Sequence, residues 1–214
     1  MEFIDKELNR YCEEHTSEED ALLKKITRTT QAKVLLPRMI SGHFQGKFLE
    51  LVSKMIRPKR ILELGTYTGY SAICMARGLD KDGTLTTIDI NDELETMVRG
   101  FFDESGMGSQ IDYRLGNAME ILPELEGPFD LVFIDADKVN YSNYFDMLID
   151  KISSGGFILA DNVLWSGKVL SPLTKKSDAD TVALIEFNKK IQEDPRVENA
   201  LLPLRDGVMM LRKK

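Results

Sequence analysis

The segment RILELGTYTGYS (Arg60–Ser71) decides the fold, because it joins a strand, a glycine turn and the start of a helix. The apolar residues of its first half end at Leu64, which is typical of a buried strand. Gly65 and Gly69 follow in the turn, where glycines let the backbone approach a ligand closely. The spacing differs from the Gly-x-Gly-x-x-Gly of pyrophosphate sites, and the turn lacks the lysine of a phosphate loop. We therefore expect a ligand without a pyrophosphate.

Strands and helical segments alternate on the C-terminal side of this turn. The apolar runs predict strands at Arg60–Leu64, Leu85–Asp89, Ile111–Leu115, Leu131–Ile134 and Phe157–Ala160. Such alternation is typical of βαβ units, which build a mostly parallel sheet with helices on both faces. The sequence therefore predicts an α/β fold whose ligands bind beyond the carboxyl ends of the strands.

The last part of the chain has a different pattern. A helix is predicted over about Asp178–Gln192, and two further apolar runs follow at Ala200–Leu204 and Val208–Arg212. The turn residues Arg205-Asp206-Gly207 separate these runs, which predicts an antiparallel hairpin.

The first part of the chain, residues 1–57, has helical spacing of its apolar residues. A loop is predicted over Gln31–Gly46, because Pro37, Gly42 and Gly46 interrupt the pattern. This loop contains Met39 and Ser41 and is placed to cover a site. Without repeats or linkers, residues 1–214 are predicted to form one domain, with 58–214 as its α/β core.

Composition limits the classes of function. The chain has 214 residues, a net charge of −7 and a pI near 5.0, which disfavours a nucleic-acid backbone or an anionic membrane as the main partner. Cys12 and Cys74 are far apart, which favours reduced thiols over a disulfide framework. The N-terminus lacks the apolar core of a signal peptide, and no apolar run is long enough to span a membrane. We expect a soluble cytoplasmic protein.

The second and third strands end in residues suited to a nucleoside. Asp89 lies some twenty residues beyond the glycine turn, the position at which a carboxylate accepts hydrogen bonds from ribose hydroxyls. Gly116-Asn117-Ala118 follows the third strand, where small residues could lie beside a flat ring. The alternative is that the glycines only shape a turn and Asp89 caps the next helix. The joint placement favours a nucleoside ligand.

The fourth and fifth strands end in oxygen-bearing side chains. Asp135 follows the fourth strand, and Asp161-Asn162 ends the fifth. Two carboxylates and an amide without His or Cys suit Mg²⁺, and Mn²⁺ or Ca²⁺ are the alternatives. Asp and Asn are also common caps and turn formers at such positions.

Lys138 is the candidate general base. It lies in the first turn of the next helix, the unfavourable end of the helix dipole for a cation, so another group should hold it there. Near a metal ion and shielded from water, its neutral amine would be favoured, and it could take a proton from a hydroxyl. Asp137 is interpreted as a solvated or capping carboxylate. Trp165 could either stack on an aromatic substrate or anchor its loop.

These motifs together resemble those of the metal-dependent, S-adenosylmethionine-dependent O-methyltransferases of the caffeoyl-CoA and catechol type. The resemblance covers almost the whole chain and rests on ILELGTYTGYSA, TIDI, LGNAMEILPEL, DLVFIDADKVNY, GGFILADNVLWSGKV and LPLRDGVMML, in this order. It implies a Rossmann-like class I methyltransferase fold with seven strands in the order 3-2-1-4-5-7-6, and a homodimer.

The resemblance also implies roles for individual residues. The implied contacts of the methyl donor are Met39, Ser41, Glu63, Gly65, Tyr67, Ser71, Asp89, Gly116, Ala118 and Asp135. The implied metal ligands are Asp135, Asp161 and Asn162, with Lys138 as the catalytic base and Lys138 and Trp165 beside the substrate. The segment Gly42-His43-Phe44-Gln45 departs from the family, which often has an acidic residue beside a glutamine there.

The expected reaction is metal-assisted methyl transfer to a hydroxyl of a catechol-like small molecule or its CoA ester. One alternative is methylation of hydroxyuridine in tRNA, for which Lys24, Lys25, Arg28 and Lys33 could form a basic patch. A second is a non-catalytic protein that binds the donor, and a third is a nicotinamide-dependent oxidoreductase. The missing third glycine disfavours the oxidoreductase, and a binder needs no Lys138.

Overall fold

The computed structural model describes residues 6–170, 173–174 and 178–214. The chain divides into two compact units, one over Glu7–Ala118 and one that contains Met119–Lys214. Residues 1–5 of the predicted helical N-terminal portion lie outside the described residues. A single domain over residues 1–214 stays a prediction.

The first unit contains five α-helices and three strands among its described residues. The helices are α1 (Lys6–Glu14), α2 (Ala21–Lys33), α3 (Gly42–Ile56), α4 (Tyr70–Ala76) and α5 (Glu95–Glu104). The strands are β1 (Arg60–Leu64), β2 (Thr84–Asp89) and β3 (Ile111–Leu115), and β2 pairs in parallel with both of the others. Their carboxyl ends therefore lie at one edge of the sheet.

Local sequence explains how α2 begins and packs. Asp20 accepts a hydrogen bond from the Leu23 backbone N–H over 3.0 Å, which satisfies one of the amide donors left open at a helix start. Leu23, Ile26 and Thr30 lie on one face and are buried. Helical spacing of these residues thus fixes the face that α2 buries.

The second unit contains strands β4 (Phe129–Ile134), β5 (Ile152–Asp161), β6 (Val197–Leu202) and β7 (Val208–Lys213). Its helices are α6, which begins with Ala118 and ends at Ile121, α7 (Tyr141–Leu148) and α8 (Ala179–Glu193). β4 and β5 are parallel, whereas β7 is antiparallel to both β5 and β6.

The seven strands form one mixed sheet in the order β3-β2-β1-β4-β5-β7-β6. This order and the antiparallel last pair confirm the predicted Rossmann-like fold. Among the described residues, none of the helices combines the length and the apolar character that a membrane span requires.

The predicted loop over Gln31–Gly46 is wrong at both ends. Helix α2 continues to Lys33, and α3 begins at Gly42. Gly46 lies inside α3 because of packing: a Cβ there would lie 2.4 Å from Tyr70 Cε1 and 3.0 Å from Cys74 Sγ. Gly46 is therefore needed for the close approach of α3 to α4, and it does not mark a turn.

Several strand boundaries also differ from the prediction, and two of these differences have a local cause. β5 begins at Ile152, because Gly155 at φ 79° lets the strand continue through a register shift opposite Phe129–Leu131. β6 ends at Leu202 and not at Leu204, since Pro203 has no N–H to continue the ladder.

Candidate active site

The glycine turn after β1 has an unusual backbone. Gly65 and Gly69 have φ values of 99° and 79°, which only glycine adopts readily, and Tyr67 between them has φ 49°. The Gly69 N–H donates to the Thr66 carbonyl over 2.8 Å. A Cβ on Gly69 would lie 2.7 Å from Phe102 Cε1, so this position also needs glycine for packing.

Asp89 is joined directly to this turn. Its Oδ2 accepts the Tyr67 backbone N–H over 2.6 Å, and its Oδ1 accepts the Asn91 N–H over 2.9 Å. Each carboxylate oxygen has capacity for a further hydrogen bond, so Asp89 can still accept from a ligand hydroxyl. The two parts of the predicted nucleoside site are thus brought together.

Glu63 lies beneath the turn and is fully buried. Its carboxylate accepts from the Ser71 and Thr87 hydroxyls, each over 2.5 Å. Thr87 in turn shares a 2.5 Å hydrogen bond with Thr66 in the turn. Glu63 and Ser71 therefore connect β1, β2 and α4 internally, and their predicted contact with the donor remains a prediction.

Gly116 and Ala118 follow β3. Gly116 has φ 145°, and its N–H donates to the Asp89 carbonyl over 2.9 Å. Ala118 is half-buried and begins α6. Gly116 thus lies beside the end of β2, and its contact with a ligand ring stays a prediction.

Met39 and Ser41 both precede α3 and lie in different environments. Met39 ends the 3-10 turn Pro37–Met39 and is 54% exposed, whereas Ser41 is buried. The Tyr67 hydroxyl lies 3.3 Å from the carbonyl oxygen of Leu36, to which it donates. Burial raises the pKa of Tyr67, so this hydroxyl remains protonated and can donate. The Met39 segment is thereby tied to the glycine turn.

The carboxyl ends of β4 and β5 bring the candidate metal ligands into adjacent positions. Ile134 pairs with Ala160 in the parallel register, so Asp135 and Asp161 come next on neighbouring strands. Neighbouring strands lie about 4.8 Å apart, which is close enough for two carboxylates to share a cation. Asp161 is buried, and Asn162 follows at φ 60°.

Lys138 lies against this pair. Its Nζ donates to Asp135 Oδ1 over 3.0 Å and to the Tyr141 hydroxyl over 2.7 Å, and the residue is 9% exposed. Burial alone lowers the pKa of Lys138, but the Tyr141 oxygen and the Asp135 carboxylate outweigh burial, and the pKa lies above its ordinary value. Lys138 and Asp135 thus form an ion pair here, and the neutral amine expected beside a bound divalent ion stays a prediction.

Asp137 belongs to a separate set of contacts. Its carboxylate accepts hydrogen bonds from the Tyr144 hydroxyl and from Asn140 Nδ2. The side chain is exposed and joins the segment before α7 to that helix. Of the three charged residues after β4, Lys138 is buried and pairs with the half-buried Asp135, whereas Asp137 is exposed.

Trp165 lies in a segment with left-handed backbone. Trp165 and Ser166 have φ 47° and 49°, and Lys168 Nζ lies 5.6 Å from the centre of the indole ring. The indole Nε1 is buried and has no hydrogen-bond partner among the described residues. A buried indole N–H of this kind normally has an acceptor, so Trp165 can offer a donor as well as a flat face.

Asp206 holds the loop that contains Trp165 and Ser166. The sequence pattern indicates only a turn residue at this position and does not predict this contact. Its Oδ1 accepts the Ser166 N–H over 2.5 Å, and burial raises its pKa. Gly207 accepts the Val163 N–H over 3.1 Å, and a Cβ on Gly207 would lie 2.4 Å from Leu164 Cγ. The hairpin turn thus fixes the loop after β5.

Among residues 6–170, 173–174 and 178–214, no three His, Cys, Asp or Glu side chains are grouped to hold a metal. The candidate metal ligands Asp135, Asp161 and Asn162 are two carboxylates and one amide, so they do not form a group of three His, Cys, Asp or Glu residues.

The predicted basic patch is partly neutralised by ion pairs. Lys24 pairs with Glu18 at 3.6 Å and Lys25 with Glu104 at 2.5 Å.

Comparisons with curated sequences identify related enzymes. Caffeoyl-CoA O-methyltransferase of Petroselinum crispum is 38% identical over 185 residues, which are 82% of this chain and 77% of the relative. The enzyme of the same name from Pinus taeda is 38% identical over 201 residues, with 89% and 77% covered.

Solved structures give the same result. The SAH-bound methyltransferase PaMTH1 of Podospora anserina matches with a TM-score of 0.89 and 30% identity, covering 99% of this chain and 97% of that one. The O-methyltransferase TomG of Streptomyces achromogenes, in complex with SAM, has a TM-score of 0.89 and 28% identity, with 97% and 96% covered. A model of the O-methyltransferase family matches residues 13–214. The chain therefore belongs to the O-methyltransferase family, and the enzyme class predicted from its motifs is confirmed.

Proposed function

We propose that this O-methyltransferase uses S-adenosylmethionine and a divalent cation to methylate one hydroxyl of a catechol-like small molecule or its CoA ester. The observation that carries the proposal is the β4–β5 register, which places Asp135 beside Asp161 with Lys138 buried against Asp135. Sequence relatives named caffeoyl-CoA O-methyltransferases support an acceptor with adjacent hydroxyls.

The donor is held by residues of the first unit. Asp89 accepts from the ribose hydroxyls while it stays bonded to the Tyr67 N–H. Gly65 and Gly116 give the backbone freedom to lie close to the ligand, and Ala118 leaves room for the adenine ring. Met39, Ser41, Glu63 and Ser71 complete this proposed set, with Asp135 as a further contact.

A divalent cation fits the residues after β4 and β5. The donors are carboxylate and amide oxygens, which suit Mg²⁺ first and also Mn²⁺ or Ca²⁺. Asp135, Asp161 and Asn162 would hold the ion. When bound, the ion supplies positive charge that acidifies a neighbouring substrate hydroxyl.

Lys138 receives the proton of that hydroxyl. The amine lone pair forms the new N–H bond as the O–H bond breaks, and the electron pair of that bond stays on oxygen. The methyl group passes from the sulfonium sulfur of the donor to this oxygen, and the C–S electrons remain on sulfur. Lys138 would lose the balancing charge of Asp135 once that carboxylate binds a cation. The pKa of Lys138 would then fall, and the neutral amine that a base requires would become more populated.

Trp165 forms one wall for the acceptor in this proposal. Its flat face suits an aromatic ring, and its buried indole N–H could donate to an acceptor oxygen.

The tRNA alternative gains no support from the basic patch, since two of its lysines pair with carboxylates. A homodimer and a cytoplasmic location are further parts of the proposal.

Turnover tests the proposal directly. Purified enzyme, S-adenosylmethionine and caffeoyl-CoA are incubated with Mg²⁺ or with EDTA, and methylated product is measured by mass spectrometry. We expect product with Mg²⁺, loss of product with EDTA and recovery when Mg²⁺ is added back. Undiminished turnover in EDTA would reject the role of the cation.

The proposed base has its own test. Lys138→Met keeps most of the apolar stem and removes the nitrogen, so kcat should fall on the order of 100-fold or more. An unchanged kcat would reject Lys138 as the base.

A further inference from the structure

Tyr141 is a buried side chain that the reaction above does not use. Its ring is fully buried at the start of α7 and packs edge-on against Phe187, with ring centres 5.5 Å apart. Its hydroxyl lies 2.7 Å from Lys138 Nζ, 3.0 Å from the Asp161 carbonyl oxygen and 3.3 Å from that of Ile134. One hydroxyl thus contacts the candidate base and the backbone at the ends of β4 and β5.

The proton positions follow from this geometry. A tyrosine hydroxyl has one proton to donate, and the two carbonyl oxygens can only accept. The hydroxyl therefore shares its one proton between the Asp161 carbonyl oxygen and the more distant Ile134 carbonyl oxygen, and it accepts from Lys138. Rigid strand ends thereby fix the point to which the Lys138 nitrogen is bound.

A lysine nitrogen is tetrahedral, and three of its four directions are already set. One is the bond to Cε, one points to Asp135 Oδ1 and one points to the Tyr141 hydroxyl. The fourth direction is then determined. In the neutral amine it carries the lone pair, which is where a substrate proton would be received.

We propose that Tyr141 is a positioning residue that directs the Lys138 nitrogen toward the acceptor hydroxyl, an inference that rests on the proposed role of Lys138 as base. Asp135 alone would leave the long side chain free to rotate about that one contact. Tyr141 removes this freedom through a second contact on a fixed hydroxyl. Misplacing a reacting group by a small distance is enough to lower the rate strongly.

Tyr144 provides a matched control. It lies on the same helix and is 2% exposed, and its hydroxyl donates to Asp137. Tyr144→Phe therefore removes a buried hydroxyl from α7 without removing a contact of Lys138.

The experiment is a double-mutant cycle on Tyr141→Phe and Lys138→Met, with Tyr144→Phe tested in the same two backgrounds. Single-turnover rates with S-adenosylmethionine and caffeoyl-CoA are followed by mass spectrometry over long incubations, so that slow variants remain measurable. Circular dichroism melting checks that each variant is folded. A group that acts through Lys138 has no further effect once the nitrogen is gone.

We expect Tyr141→Phe to lower the rate on the order of tenfold in the wild-type background, with the acceptor KM unchanged. In the Lys138→Met background it should change the rate by less than about twofold. Tyr144→Phe should have little effect in either background. An unchanged rate in Tyr141→Phe, or an equal fall in both backgrounds, would overturn the positioning role. Wild-type activity of Lys138→Met would instead reject the base itself, which separates the two failures.

Discussion

The backbone N–H of Tyr67 donates to Asp89 Oδ2 over 2.6 Å, so the glycine turn after β1 and the end of β2 are one connected structure. Tyr67 has φ 49°, a conformation that is costly for a residue with a side chain. Asp89 therefore supports the shape of the turn, in addition to its proposed contact with the donor.

Asp89→Ala should weaken binding of the donor product, S-adenosylhomocysteine, by about 10- to 100-fold, because charged hydrogen bonds are lost. Isothermal titration calorimetry measures the Kd. The control is Asp112→Ala, which removes an exposed carboxylate on β3 that pairs with Arg114. An unchanged Kd in Asp89→Ala would contradict the proposed ribose contact.

Asp135→Asn should destabilise the protein by about 3 kcal/mol, because it leaves the buried Lys138 ammonium without a counter-charge. The raised pKa of Lys138 means that this pair contributes fully at neutral pH and is lost only as the pH rises through that raised value. Urea unfolding near neutral pH in EDTA, without donor, measures the loss. Glu198→Gln breaks the exposed pair with Arg212 and should cost less than about 1 kcal/mol. An equal loss of unfolding free energy in both variants would show that the Lys138–Asp135 pair contributes no more to stability than an exposed pair.

Glu50 should make stability depend on pH. It is buried on α3, and although burial raises its pKa, Lys54 and Lys47 outweigh burial and hold the pKa below the ordinary value of 4.5. Its contribution is therefore present above that value and is lost as the pH falls through the lower, folded-state pKa. Glu50→Gln should be less stable than wild type by about 1–3 kcal/mol at neutral pH. The difference between the urea midpoints of the two proteins should shrink progressively as the pH falls below 4.5, and a constant difference would contradict this assignment.

Gly46→Ala should destabilise the protein by about 1–3 kcal/mol, since its Cβ would overlap Tyr70 between α3 and α4. Gly100→Ala is the opposite case, because a Cβ at this position in α5 meets nothing within 4 Å. It should stabilise by up to about 1 kcal/mol. Thermal melting distinguishes the two, and a stable Gly46→Ala would mean that α3 can move away from α4 at little cost.

Much of the fold could be predicted because each strand end carries its own signal. The apolar runs before Gly65, Asp89 and Asp135 give both the strand and the point where it stops. Boundaries failed where long-range packing decides the role of a glycine, as at Gly46 inside α3 and Gly155 inside β5.

The candidate site divides in the same way. Adjacent ligand positions follow from parallel strands in register, so Asp135 and Asp161 could be paired from the sequence. The charge state of Lys138 could not be predicted from the sequence, because it depends on the distances from its nitrogen to Asp135 and to the Tyr141 hydroxyl. Support of the loop after β5 by Asp206 depends likewise on a contact 40 residues away in sequence.

The hairpin turn at Asp206 and Gly207 makes the loop after β5 depend on residues outside the proposed chemistry. Proteolytic nicking there would leave every proposed donor, cation and base residue on the polypeptide. It would nevertheless release the loop that follows β5, because the Ser166 and Val163 amides lose their acceptors. Inactivation of this kind would be recognised from the mass of the fragments and not from the identity of any catalytic side chain.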